Sequence, residues 1–258
     1  MIWKSEYKET LDDIHVEGYS VAEADCRAFF SSKVASKIVE ADCAEQLRTH
    51  LEELETTGFD SSALITEMSK STVQVKDWEI GEAIAEVVLA EEHDAIFPWE
   101  TGWDKRTPRA SLPGADIVGF QNKTAPRFMF GQVKSSSENR LPPQVVNSGK
   151  DCLRNQMHTL KHECAERIQL IQWLLVRAKG SAWENSFNEA LERYVQEDYY
   201  LVGILISGGR AANAKDLTGI CKGINHTKDS GEISLFGYYL PFDMKSWVSM
   251  VPDWEVTA

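Results

Sequence analysis

The chain has 258 residues, 43% of them hydrophobic, with 8 tryptophans and 10 phenylalanines, and its formal net charge is −13. This length and apolar content suffice for one large domain, or a domain with an extension, and they exclude global disorder. The acidic balance disfavours a protein that binds nucleic acid unaided, because negative charge repels phosphates at long range. A nucleic-acid function would therefore require a partner that supplies most of the affinity, helped by a local basic strip.

The sequence contains no sign of a membrane or secreted protein. Residues 1–6 lack the charged and apolar regions of a signal peptide. No run of residues approaches the apolar length needed to cross a bilayer. The five cysteines are scattered and odd in number, which favours reduced thiols over a disulfide framework. We therefore expect a soluble, cytoplasmic protein with no membrane partner.

Residues 1–76 are predicted to form a mainly helical amino-terminal extension. Residues 1–20 are mixed in character and give only a weak strand signal. Apolar residues then recur at helical spacing from Val21 to Leu54, and a second, shorter helix is predicted after Gly58. This acidic region has no catalytic motif. Two interpretations remain open: a helical cap packed on the core, or a surface for partner docking or regulation.

The second predicted region, residues 77–258, begins with an amphipathic helix for which Asp77 is a good N-cap. Glu82 and Glu86 lie four residues apart, on one face beside the apolar stripe of that helix. A pair of acids on a helix usually faces solvent. The adjacent Gly81 and the two strands that follow single out Glu82 as a candidate site residue.

A first strand is predicted over residues 93–99, and a long loop, residues 100–113, follows it. The loop contains three basic residues, Lys105, Arg106 and Arg109. Long loops in compact domains are often functional, so these residues are candidates for contacts with DNA phosphates. The alternative is ordinary solvated surface charge.

Asp116 lies within an apolar run, residues 113–120, that is predicted to be the second strand. An unpaired carboxylate would be costly to bury among such residues, and a bound metal ion would remove that cost. The alternative is a carboxylate that accepts backbone N–H groups at the start of the strand.

The third predicted strand, residues 128–134, ends in an amide and an amine. Gln132 and Lys134 are two residues apart, so they point to the same face of the strand, and Asp116 on a neighbouring strand could point with them. Oxygen ligands hold hard cations, and an amine stabilises developing negative charge. This grouping predicts a metal-dependent hydrolase that acts on phosphodiesters. Gln132 would either ligate through its carbonyl oxygen or orient water, and the alternative for Lys134 is a strand-end lysine that reaches solvent.

A long helix is predicted to start near Ser148, and a basic stripe runs along one side of it. The stripe consists of Lys150, Arg154, His158 and Lys161. Because it follows the third strand, Lys150, Arg154 and Lys161 are candidates for contacts with the DNA backbone. A solvated helix face is the alternative.

The remaining elements complete the prediction of the fold class. They are two helices, a buried strand, a short helix and a last strand, at residues 167–177, 181–196, 199–207, 217–225 and 233–240. The order of helix, three strands, helices and strands predicts an α/β core, with a mixed sheet covered by helices and a helical amino-terminal extension.

The order of the candidate residues resembles the PD-(D/E)xK nuclease superfamily. The family pattern is an acid on the first core helix, an acid at the start of the second core strand, then (D/E)-x-K on the third. Glu82, Asp116 and Lys134 match that order. Gln132 departs from it, because it stands where the second acid is usual, and this Gln-x-Lys variant resembles the Mrr-type restriction nucleases. The resemblance covers about residues 77–207, and since the motif is short, its order and context carry the match.

The resemblance implies a restriction-endonuclease-like fold and DNA cleavage that depends on Mg²⁺ or Mn²⁺. Glu82, Asp116 and Gln132 would bind the metal, and Lys134 would position the attacking water and stabilise charge on the phosphate oxygens. The layout of the chain also resembles the nuclease subunits of Hachiman-type antiphage systems. That likeness implies two partners, DNA and a helicase or ATPase, within a defence or restriction complex.

Two alternatives to an active nuclease remain open from the sequence. One is a catalytically inactive nuclease-fold module, short of an acid at Gln132, that binds DNA or a partner protein. The net charge and the helical extension favour it. The other is an unrelated small-molecule hydrolase, but the sequence contains neither a Gly-x-Ser-x-Gly nucleophile elbow nor a His-Glu-x-x-His zinc motif to support it.

Overall fold

The computed structural model describes residues 2–39, 41–58, 60–70, 76–99, 114–224 and 231–251. Within these ranges the chain is an α/β protein whose mixed sheet is flanked by helices, which confirms the predicted fold class. The predicted loop contacts Lys105, Arg106 and Arg109 lie outside the described residues. Among the helices that the structure describes, none is long and apolar enough to span a bilayer.

The strands within the described ranges form one seven-stranded sheet. They are β1 (Trp3–Leu11), β2 (Ile14–Val21), β3 (Ala95–Ile96), β4 (Ile117–Gln121), β5 (Arg127–Ser136), β6 (Tyr200–Gly208) and β7 (Glu232–Leu240). Their order across the sheet is β1-β2-β7-β6-β5-β4-β3. The four strands β2, β7, β6 and β5 are parallel to one another, whereas β1, β4 and β3 pair antiparallel with their neighbours.

The amino-terminal strands belong to the same sheet as the predicted nuclease region. β2 pairs in parallel with β7, from Ile14 opposite Ile233 to Ser20 opposite Tyr239. Ile14 and Val16 of β2 are buried, whereas most of β1 is exposed, as is usual for a charged edge strand. The weak strand signal of residues 1–20 therefore corresponds to two full strands, and the sheet continues across the boundary predicted at residue 76.

The helices cover both faces of the sheet. They are α1 (Glu23–Phe29), α2 (Ala35–Val39), α3 (Ala41–Thr56), α4 (Ser62–Lys70), α5 (Asp77–Glu92), α6 (Gln144–Asn147), α7 (Leu153–His162), α8 (Cys164–Ala178), α9 (Glu184–Val195), α10 (Lys215–Thr218), α11 (Cys221–Ile224) and α12 (Trp247–Met250). A π-helical segment, Phe30–Val34, joins α1 to α2, and a 3-10 turn, Met244–Ser246, precedes α12.

The side chains of β5 point alternately to two core clusters, one on each face of the sheet. Phe128 and Phe130 point to the cluster that contains the buried residues of α7, α8 and α9. Met129 and Val133 point to the cluster that contains the apolar stripe of α5 and the buried residue Phe30. Because successive side chains of a strand face opposite sides, α5 and α7 pack on opposite faces of the sheet.

The start of α5 differs by one residue from its prediction. Asp77, predicted as the N-cap, is the first helical residue, and Lys76 occupies the N-cap position. The Glu79 side chain accepts the backbone N–H of Lys76 at 2.7 Å, as in a capping box. Asp77 still lies in the first turn, where a negative charge is favourable at the positive end of the helix dipole.

Candidate functional site

A cleft of about 600 Å³ opens between the first turns of α5, the start of β4 and the last residues of β5. Glu82, Asp116 and Lys134 all line this cleft. Each of the three side chains is half-buried. Three residues from distant parts of the sequence, selected by their order alone, therefore share one cavity.

The cleft exists because β4 is shorter than β5. β4 begins at Ile117, which pairs with Gly131, whereas β5 continues to Ser136 with β6 on its other side. Asp116 extends the ladder by one step, since its backbone N–H donates to the carbonyl of Gly131 at 3.0 Å. Beyond that step, the edge of β5 that would face β4 lies along the cleft.

The Asp116 carboxylate is held by the backbone of β5. Its Oδ2 accepts the N–H of Val133 at 3.0 Å. This is the capping role that the sequence left open for Asp116. A carboxylate has two oxygens and about four acceptor positions, so the hydrogen bond orients the group and is compatible with a metal ligand. The strand edge therefore presets the direction in which Asp116 faces the cleft.

Gly81 allows α5 to approach β5 closely enough to bring Glu82 to the cleft. A Cβ atom at Gly81 would lie 2.0 Å from Oγ of Ser135, a separation that real Cβ atoms do not show. Ser135 itself lines the cleft. The glycine beside Glu82 is thus explained by close packing between the helix and the strand, and that packing places the acid.

Replacing Gly81 with alanine tests this packing. In the wild-type background we expect Gly81→Ala to gain less than the helix-propensity difference of about 1 kcal/mol, because Oγ of Ser135 must move away from the new methyl group. In a Ser135→Ala background the same change should be more stabilising, since the clashing hydroxyl is gone. Urea denaturation of the four proteins measures the coupling. Equal effects of Gly81→Ala in both backgrounds would show that the two residues do not meet.

Gln132 lies deeper than predicted. Its side chain is buried, it does not line the cleft, and its Nε2 donates to the backbone carbonyl of Gly114. Among the described residues, its Oε1 is buried without a hydrogen-bond partner. Gln132 and Lys134 share a face of β5 as predicted, but only Lys134 lies where the cleft opens.

The residues of the cleft fit a hard cation in part. Mg²⁺ is usually held by one or two carboxylates, with waters and substrate phosphates completing its octahedral shell. Three carboxylates line the cleft, those of Asp77, Glu82 and Asp116, and the buried Oε1 of Gln132 is an acceptor that a cation or a water could satisfy. Across the described residues there is no cluster of three or more His, Cys, Asp or Glu side chains that could hold a metal. Within the part of the chain that the structure describes, the cleft thus offers carboxylate ligands but no preformed metal cage.

Several residues that line the cleft were not predicted from the sequence. They are Lys76, Asp77, Trp78, Val133, Ser135 and Met244. Trp78 lies one helical turn before Glu82, so its i, i+4 spacing from that acid was a usable signal. Met244 follows β7 in a 3-10 turn, and no local pattern connects that turn to the first turn of α5.

The predicted basic stripe of α7 does not form one DNA-contacting surface. Lys161 is buried, with only 2% of its surface exposed, and its Nζ donates to the carbonyl of Gly231 at 3.4 Å. The prediction of a DNA contact at Lys161 is therefore wrong, because the side chain of this lysine points into the protein. Lys150 is exposed and Arg154 is half-buried. Among the described residues, none that lines the cleft comes from α7.

No protein-family model matches this chain, and a search of curated proteins finds no significant match. The function must therefore be argued from the cleft and its residues.

Proposed function

We propose that the protein is a metal-dependent nuclease that hydrolyses phosphodiester bonds in the cleft lined by Glu82, Asp116 and Lys134. The observation that carries the proposal is that these residues, chosen for their order in the sequence, line one cavity of about 600 Å³. Acids and an amine around one cleft are a set that can handle an anionic substrate through a divalent cation. DNA is the proposed substrate.

Each residue has a role that follows from its chemistry. Glu82 and Asp116 would hold Mg²⁺ or Mn²⁺. Gln132 would act indirectly, because its buried carboxamide donates to the carbonyl of Gly114, two residues before Asp116. When bound, the metal would act as a Lewis acid on the phosphoryl group. Lys134 would stabilise the negative charge that develops on the phosphate oxygens and would position the attacking water. The hydrogen bond from Val133 keeps the Asp116 carboxylate oriented throughout.

Metal dependence provides the test of this proposal. The purified protein should cleave DNA with added Mg²⁺ or Mn²⁺ and lose that activity with excess chelator. Mg²⁺ should also raise the melting temperature, since a ligand that binds only the folded state stabilises it. Both effects should disappear in Asp116→Asn, which keeps an acceptor for Val133 but removes the charge. Undiminished cleavage in chelator, or an unchanged metal response in this variant, would contradict the proposal.

We also propose that the nuclease acts within an antiphage defence or restriction complex, beside a helicase or ATPase. The net charge of −13 predicts weak DNA binding by the isolated protein at physiological salt, so a partner would supply most of the affinity. The helical pair α3 and α4 carries three exposed leucines, Leu47, Leu54 and Leu64. We propose that these exposed leucines contact the partner.

The partner surface can be tested without truncation. Deleting the whole amino-terminal extension, residues 1–76, would also remove Cys26 and Phe30, which are fully buried in the core. The remainder would not be expected to fold. Replacing Leu47, Leu54 and Leu64 by lysine should abolish recovery of the helicase or ATPase in a pull-down from native extract, while the melting temperature stays unchanged. Replacing the exposed pair Val176 and Val195 on α8 and α9 provides a matched control. Equal recovery by both variants would exclude α3 and α4 as the docking surface.

A further inference from the structure

The first turn of α5 places an exposed tryptophan at the mouth of the cleft. Trp78 is 47% exposed, although burying an indole ring is among the largest apolar gains available to a side chain. The helix does not need it for packing, because Ile80 and Ile84 are fully buried in the core. Trp78 lines the cleft together with the candidate catalytic residues. The exposed surface of Trp78 therefore borders the cleft.

Trp78 and Glu82 are four residues apart on α5 and so lie on one face of the helix. The Cα atoms of the two residues are thus ~6 Å apart along the helix axis, a little more than one turn. Nζ of Lys76 lies 5.9 Å from the centre of the indole ring, and Lys134 lines the same cleft. An aromatic face beside an ammonium group, with a second ammonium group in the same cleft, suits a ligand that has a flat ring and phosphates.

We propose that Trp78 is a stacking platform for one unpaired nucleobase beside the phosphate that is cleaved. This inference rests on the proposed nuclease function and specifies its substrate. Bases inside a duplex are already stacked on both faces, so at an internal position only an unpaired base can lie on Trp78. The preferred substrate is therefore a single strand, or a duplex with an unpaired nucleotide at the cleaved position. Met244 provides a further apolar wall for that base.

The test measures binding of a fluorescent single-stranded oligothymidylate and of the same strand annealed to oligodeoxyadenylate, both with Mg²⁺. All proteins carry Lys134→Ala, so that neither probe is cleaved during the titration. Trp78→Leu, which keeps apolar bulk but has no aromatic face, should weaken single-strand binding by about 5- to 100-fold, as loss of one base–aromatic stack does. Trp78→Phe should retain most of the affinity. Binding of the duplex should change less than twofold in either variant.

The outcomes separate this inference from the nuclease proposal. Wild-type single-strand affinity in Trp78→Leu, or equal losses with Phe and Leu, would overturn the stacking platform. If Trp78→Leu loses binding to a protein partner while its affinity for the oligonucleotide is unchanged, the stacking platform is also overturned, because that result would assign Trp78 to a protein interface. If binding depends on Trp78 while the chain with its native Lys134 shows no metal-dependent cleavage, the platform stands and the nuclease proposal fails. If metal-dependent cleavage of both substrates is unaffected by Trp78→Leu, the nuclease proposal stands and the platform fails.

Discussion

Replacing Lys134 by alanine or Asp116 by asparagine is expected to slow phosphodiester cleavage by about 100-fold or more. Removing one preorganised electrostatic group from a site where charge develops typically has an effect of this size. Lys134 lines the cleft with Glu82 and Asp116, and under the proposed nuclease function its amine would meet the substrate phosphate. Asp116→Asn removes the charge but retains an oxygen that can accept the N–H of Val133, so the strand edge stays satisfied.

The measurement is the initial rate of cleavage with saturating Mg²⁺, accompanied by the melting temperature of each variant. Lys179→Ala, at an exposed lysine just after α8, is the matched control and should cleave at the wild-type rate. Wild-type rates in the Lys134 or Asp116 variant, with the fold intact, would place the reaction elsewhere.

Replacing Arg210 by alanine is expected to lower the free energy of unfolding by about 3–5 kcal/mol, which is typical when one partner of a buried ion pair is removed. The Arg210 guanidinium pairs with Asp216, whose side chain is fully buried. It also donates to the carbonyls of Glu138 at 2.7 Å and Arg140 at 3.0 Å. Tyr239 donates a further hydrogen bond to Asp216 at 2.9 Å. Loss of Arg210 would leave this carboxylate buried with one partner fewer.

The loss should depend on pH with a definite sign. Burial raises the pKa of Asp216 above its ordinary value, against the opposing hydrogen bonds from Arg210 and Tyr239. Without Arg210 that pKa rises further, so the folded variant keeps a proton that the unfolded chain has released. The folded state then binds more protons than the unfolded chain at any pH between the unfolded and folded pKa values of Asp216. The stability of the variant therefore falls as the pH rises through that range.

The stability difference between wild type and Arg210→Ala should therefore be larger at pH 8 than at pH 5. Urea denaturation at both values measures it. The control is Lys4→Ala, which removes an exposed surface pair with Glu6 and should cost no more than about 1 kcal/mol at either pH. A difference that shrinks with rising pH would mean that Asp216 is not the group responsible.

Local pattern alone determined most of the secondary structure. The apolar runs predicted over residues 199–207 and 233–240 are the strands β6 and β7, and both are almost entirely buried. The predicted third strand is β5, extended by one residue at its start and two at its end. Such elements are readable because side-chain periodicity reflects which faces are covered. The first strand, predicted over residues 93–99, is reduced to Ala95–Ile96, since strand length depends on the partner strand as much as on propensity.

The site could be predicted in part for the same reason. The order of Glu82, Asp116 and Lys134, together with the alternation of β5, was sufficient to select three residues that line one cleft. The tertiary structure decided the rest. Gln132 is buried because the carbonyl of Gly114 lies beside its amide, and Lys161 is buried because the carbonyl of Gly231 accepts its amine. Those carbonyls come from segments far away in sequence, so no local pattern could reveal them. Likewise, Trp78 and Met244 meet at one cleft only because the sheet brings α5 and the end of β7 together.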